Sequence, residues 1–221
     1  MILTMKEKTR LTARLCFREP IDEIDQAAQL LNDAVSAHLE GKFALAANLI
    51  RRADIPAIRD WTESLWGREH PYQMYRAVLS APPGLCKEMR VKVRMPTAAE
   101  KADLLRRDGY HCRFCGIPVI RQTIRTKLKK LYPESLQWGR TNSTQHAAFQ
   151  AMWVQYDHLV PHARGGDNDP ENMLITCAPC NFGRMNYTIE EVGLIDPRTR
   201  VPIRSSWDGL ERLIRREPTS A

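Results

Sequence analysis

The chain has 221 residues, of which 43% are apolar and 27% charged, a balance that supports a packed core and argues against global disorder. No apolar run reaches the roughly 18 residues that a membrane span needs, and Met1 to Phe17 scatters Lys6, Lys8, Arg10 and Arg14 among its apolar residues. That pattern is unlike a secretory signal, so no membrane partner and a cytoplasmic, reducing setting are expected, where cysteines ligate metal or stay free. The net charge of +7 is uneven: residues 81–150 hold 14 basic and 5 acidic side chains, a net +9, whereas residues 1–80 are neutral and residues 151–221 carry a net −2. A local excess of that size points to a polyanion, with a solvated basic face as the plain alternative.

In chain order, residues 21–39 predict an amphipathic helix, because Ile21, Ile24, Ala28, Leu31 and Val35 recur at steps of three and four. A second helix is expected over 42–53, with Phe43, Ala47 and Ile50 on one face, and a third after Pro56 with Ile58, Trp61, Leu65 and Trp66. Residues 1–80 therefore read as an α-helical region, a hairpin or small bundle available to a partner protein or to a homodimer. Ala81-Pro82-Pro83-Gly84 opens a linker over 81–97. Thr97 and Glu100 match a capping box that starts a short helix ending at Asp108-Gly109. Residues 121–131 form a basic amphipathic segment stopped by Pro133, and 142–152 a further short helix. Strands are expected over 153–161 and 172–176, joined by a turn-rich loop around Gly165-Gly166, with a short helix over 178–187. Residues 191–221 read as a basic C-terminal tail with Arg198, Arg200, Arg204, Arg212, Arg215 and Arg216, frayed at its end.

Cys112-Arg113-Phe114-Cys115 and Cys177-Ala178-Pro179-Cys180 are two C-x2-C pairs. Two such knuckles supply the four soft ligands that tetrahedral zinc prefers, and Gly116 relaxes the first turn. The long separation between the pairs is tolerable because loop-closure cost grows only logarithmically. A redox dithiol or buried free thiols are the alternatives. Cys16 and Cys86 have no partner pattern.

Between the knuckles lies Asp157-His158, followed by Asn172 and by Asn181 directly behind Cys180. The run DHLVPHARGGDNDPENMLITCAPCNFGR, with DGYHCRFCG upstream, resembles the four-cysteine branch of the HNH endonucleases over residues 98–190. The chemistry of the residues agrees. A neutral histidine takes a proton from water near pH 7, and a carboxylate with an amide oxygen suits Mg²⁺ or Mn²⁺. His158 is the candidate general base, with His162 as a rival, and Asp157 and Asn181 are the candidate ligands of the catalytic ion. The resemblance gives Asn172 the task of orienting the active-site loop. It implies a ββα-metal unit, so the expected fold class is α+β, mostly α: a helical N-terminal region followed by an HNH nuclease domain with a structural zinc on Cys112, Cys115, Cys177 and Cys180.

The insert over 117–152 is longer than in compact HNH domains. As a helix it would set Arg121, Arg125 and Lys129 on one face, able to track a duplex backbone or simply to face solvent. Arg184 and Arg164 are further candidates for phosphate contact. The resemblance implies a divalent-metal-dependent endonuclease acting on nucleic acid, double-stranded DNA first, in restriction or anti-phage defence. A zinc-stapled nucleic-acid-binding module without catalysis is the alternative. Neighbouring strand residues face opposite sides, so Asp157 and His158 serve one site only if the strand ends or bulges there.

Overall fold

A computed structural model describes residues 13–66 and 75–215. The expectations for residues 1–12, with Lys6, Lys8 and Arg10, and for Arg216 fall outside those residues. Three helices open the described chain: α1 (Asp22–Leu39), α2 (Phe43–Arg52) and α3 (Pro56–Trp66). The α1 stripe Ile24, Ala28, Leu31 and Val35 is buried as its periodicity predicts. In α2 the buried face is instead Ala46, Leu49 and Ile50, and Phe43 lies exposed. The capping box holds: Thr97 and Glu100 exchange hydrogen bonds at the start of α4 (Ala98–Asp108), and Gly109 closes it in the left-handed region. α5 spans Gln122–Leu131.

The segment 142–152 is not one helix. It breaks into a 3-10 turn at Asn142–Thr144 and α6 (Ala147–Ala151). The N-terminal helices impose that break. Arg59 of α3 donates to the carbonyls of Ser143 and Gln145, and Asp54 accepts the Ala147 N–H at 2.7 Å. His146 donates through Nε2 to Ile50 O at 2.9 Å, and His38 bonds Tyr132 at 2.7 Å. One buried apolar cluster runs from Phe17 to Leu213, so the helical region braces the insert. No helix among the described residues is long and apolar enough to cross a membrane.

The sheet is a single antiparallel pair, β1 (Val154–His158) and β2 (Met173–Cys177), with Val154 opposite Cys177 and His158 opposite Met173. α7 (Ala178–Arg184) follows β2 without a loop, and α8 (Arg212–Arg215) closes the described chain. Asp108, buried at the end of α4, accepts the Ile175 N–H at 2.9 Å and both ends of Arg107 at 2.8 Å, which fixes α4 to β2. The tail folds back: Arg200 donates to Arg113 O and Phe114 O, and Trp207 to Val119 O.

The two cysteine pairs meet at the junction of β2 and α7. The four sulfurs of Cys112, Cys115, Cys177 and Cys180 lie within 4.8 Å of one another. The first knuckle is shaped by Gly116 at φ 82°, whose N–H bonds Cys112 O at 2.9 Å. Burial pushes the Cys177 thiol well above its ordinary value, so four thiolates in this place require a compensating cation. The geometry and the donor set fit structural zinc.

Two outcomes follow for stability. Cys180→Ser should lose the bound zinc, measured as metal per chain, and lower unfolding free energy by more than ~3 kcal/mol; unchanged metal content would contradict the site. His146 is buried and its pKa is lowered by burial. The folded chain therefore resists the proton that the unfolded chain accepts, and stability falls as pH drops below the ordinary histidine value near ~6.5. In urea melts at several pH values, His146→Gln should flatten that acid-side slope; an identical slope would refute the assignment.

Candidate active site and its basic wall

β1 ends at His158, and the chain turns at once through Pro161. The ladder stays regular through Asp157 and His158, yet both residues and Asn181 of α7 border one cleft of about 770 Å³. Asn172 fixes the loop between the strands. Its Oδ1 accepts the Val160 N–H at 2.8 Å, and its Nδ2 donates to Asp167 O at 2.9 Å. The loop passes so close that a Cβ on Gly166 would lie 1.8 Å from Val160 O, and only glycine fits there.

His158 is buried against this loop. Its Nε2 lies 3.0 Å from Asn168 Oδ1, and Asn168 Nδ2 donates to Val93 O at 3.1 Å. A carbonyl only accepts, so Val93 orients the Asn168 amide, and Oδ1 must accept a proton from His158. The network thus assigns the imidazole hydrogen to Nε2 and the lone pair to Nδ1. Nδ1 has no hydrogen-bond partner among the described residues. Burial lowers the His158 pKa, against the raising influence of Asn168 and Asp157, which favours the neutral ring at pH 7. His162 is placed otherwise: its Nε2 bonds Val91 O at 2.8 Å, and its ring centroid is 5.9 Å from that of His158.

Asp157 meets Arg184 edge to edge, with Nη2–Oδ1 at 2.6 Å and Nε–Oδ2 at 3.1 Å. Arg184 is only 1% exposed and also donates to Leu159 O, Tyr187 O and His158 O. The side chain expected to meet phosphate is therefore an internal strut. Arg164 is similarly engaged, with Pro82 O at 2.9 Å and Glu191 at 3.0 Å.

The face expected to track a duplex is largely engaged within the fold, with Arg125 buried and Lys129 at the surface. Arg121 forms a two-pronged pair with Glu211. Arg125 is buried and stacks 3.6 Å over the Trp138 ring, with Trp153 at 5.0 Å, and burial pushes its pKa down to about 10. Lys129 donates to Trp138 O at 3.1 Å.

Two features carry no expectation from the sequence. One is Asn168, hidden in a turn-rich loop where asparagine has an ordinary turn role. The other is the segment 85–95, read as linker because of its proline and glycine neighbours. It forms a strap along the cleft, and Lys87, Arg90, Lys92 and Arg94 line it. The signal available was the crowding of four cations into eight residues.

Comparison with known proteins gives one match: the family model described as HNH endonuclease covers residues 146–184. Neither curated proteins nor solved structures give a match to this chain. The matched segment holds β1, the Asn172 loop, β2 and all of α7. Residues 146–184 are thus an HNH endonuclease domain, a nuclease-type unit set beside a four-cysteine cluster that fits zinc.

Proposed function

We propose that the protein is a divalent-metal-dependent endonuclease that hydrolyses phosphodiester bonds in DNA, with His158 as the general base. The observation that carries this reading is the Val93–Asn168–His158 chain of hydrogen bonds. It leaves one basic nitrogen unpaired on a ring that lines a cleft.

The donor set fits Mg²⁺ or Mn²⁺. Asp157 offers a carboxylate and Asn181 an amide oxygen into one cleft, and such ions take few protein ligands while keeping water and phosphate. Arg184 engages both Asp157 oxygens, yet each carboxylate oxygen has a second lone-pair site. When bound, the ion supplies positive charge at the phosphate and the leaving oxygen.

The protein's own groups do the rest. His158 Nδ1 accepts a proton from water as that water attacks phosphorus in line. Asn168 holds the ring in the tautomer that can do so. Asn172 holds the loop that carries Asn168, and Arg184 fixes the position of the Asp157 carboxylate. The leaving 3′ oxygen departs opposite the attack, giving 5′-phosphate and 3′-hydroxyl ends.

One observation favours a second reading. The buried Asp157–Arg184 pair neutralises the carboxylate that a metal would use, as suits a zinc-stapled DNA-binding module without catalysis. A supercoiled-plasmid assay with and without Mg²⁺ or Mn²⁺ separates the two. The nuclease predicts metal-dependent nicking that falls by about 10²- to 10⁴-fold in His158→Ala of matched zinc content. It predicts a smaller fall, about 10- to 100-fold, in Asn168→Ala. DNA binding without cleavage by the unmodified protein would support the binding module, and equal cleavage by His158→Ala would remove His158 as base.

A further inference from the structure

Part of the charge excess of the middle third is engaged inside the fold. Arg107 and Arg113 pair with the buried Asp108, Arg121 pairs with Glu211, Arg125 lies between tryptophans, and Lys127 donates to Leu213 O. The strap places cations at the cleft itself. Among the described residues, Lys87, Arg90, Lys92 and Arg94 form no ion pair, and all four line the cleft that holds His158. Lys87, Lys92 and Arg94 are exposed.

The strap is held by its main chain. Leu85 N–H bonds Ala163 O at 2.8 Å, and Arg164 holds Pro82 O. His162 bonds Val91 O, and Asn168 bonds Val93 O. Apolar packing contributes little, since Met89, Val91, Val93 and Met95 are all exposed. A basic loop of no consequence has no reason to be pinned at three points, with a fourth just before it at Pro82, to the loop after the candidate base. Arg90 Nε is tied to Leu85 O at 3.0 Å and Glu88 shares the lining, but the arrangement holds Lys87, Lys92 and Arg94 along the cleft of His158 with exposed side chains.

We infer that residues 85–95 are the DNA-backbone-binding wall of this cleft, and that Lys92 and Arg94 contact phosphates flanking the one to be cut. This rests on the nuclease reading for the identity of the polyanion. It extends that reading to a segment outside the matched residues 146–184. Asn168 joins the two parts, because one amide contacts both the strap carbonyl and the base. The strap therefore sets which phosphate lies before His158, as well as adding affinity. Cations on a backbone release counterions, so the signature is a salt-dependent affinity without sequence preference.

The test is binding of a short DNA duplex across a salt series, without divalent metal, in the His158→Ala background so that no cleavage intervenes. K92Q/R94Q should weaken binding by more than about tenfold at 0.1 M salt and reduce the slope of log K against log salt by about 2. The control R52Q/K130Q removes the same charge from exposed positions off the cleft and should leave slope and affinity near those of the parent. Equal losses in both variants, an unchanged slope in K92Q/R94Q, or no DNA binding by the parent would each overturn the assignment. Strap-dependent binding by a protein that never cuts DNA would uphold the wall and count against the nuclease.

Discussion

A single buried guanidinium ties the candidate site together. Arg184 sits at the end of α7 and directs its donors to the Asp157 carboxylate and to the carbonyls of His158, Leu159 and Tyr187. It thereby locks the last residues of β1 to the helix that carries Cys180 and Asn181. Removing one partner of such a pair strands a buried charge, typically at a cost of about 3–5 kcal/mol. The four-cysteine cluster stands at the other end of the same helix. Cysteines, carboxylate and imidazole thus belong to one packed unit, although they come from segments far apart in the sequence.

Arginine has a broader structural task here. Among the described residues there is one two-stranded sheet, and long stretches lack a regular ladder to satisfy their carbonyls. Arg59, Arg107, Arg113, Arg200 and Arg204 donate to main-chain oxygens across the loops. Buried backbone acceptors need such partners. A basic composition therefore reflects internal hydrogen bonding as much as an exposed polyanion site, and among the described residues that line the cleft the strap cations are the ones without an ion pair.

The sequence made much of the core unit legible. The C-x2-C spacing predicts a cluster that the sulfurs form, and the strand, loop, strand, helix order over 153–187 matches β1, β2 and α7. These features are local or carry fixed chemistry. Helical periodicity also placed α1, but in α2 the choice between two apolar faces depended on tertiary packing, and Phe43 went outward. The insert defeated pattern reading for a similar reason. Spacing puts Arg121, Arg125 and Lys129 on one face, but Glu211 and Trp138, distant in sequence, decide which way that face turns. Asn168 was invisible because its significance lies in the Val93 carbonyl it bonds, which carries no side-chain signal, whereas the strap showed only as a cluster of cations without a stated place.

The central claim is that Asn168 holds His158 with its proton on Nε2 and its lone pair on Nδ1. Long-range ¹H–¹⁵N correlation spectra of the imidazole groups in zinc-loaded protein, with His158→Ala used for assignment, read this directly. The account predicts a neutral His158 ring at neutral pH in the Nε2–H tautomer, changing to a mixture in Asn168→Ala. A predominant Nδ1–H tautomer, or a spectrum unaffected by Asn168→Ala, would contradict it.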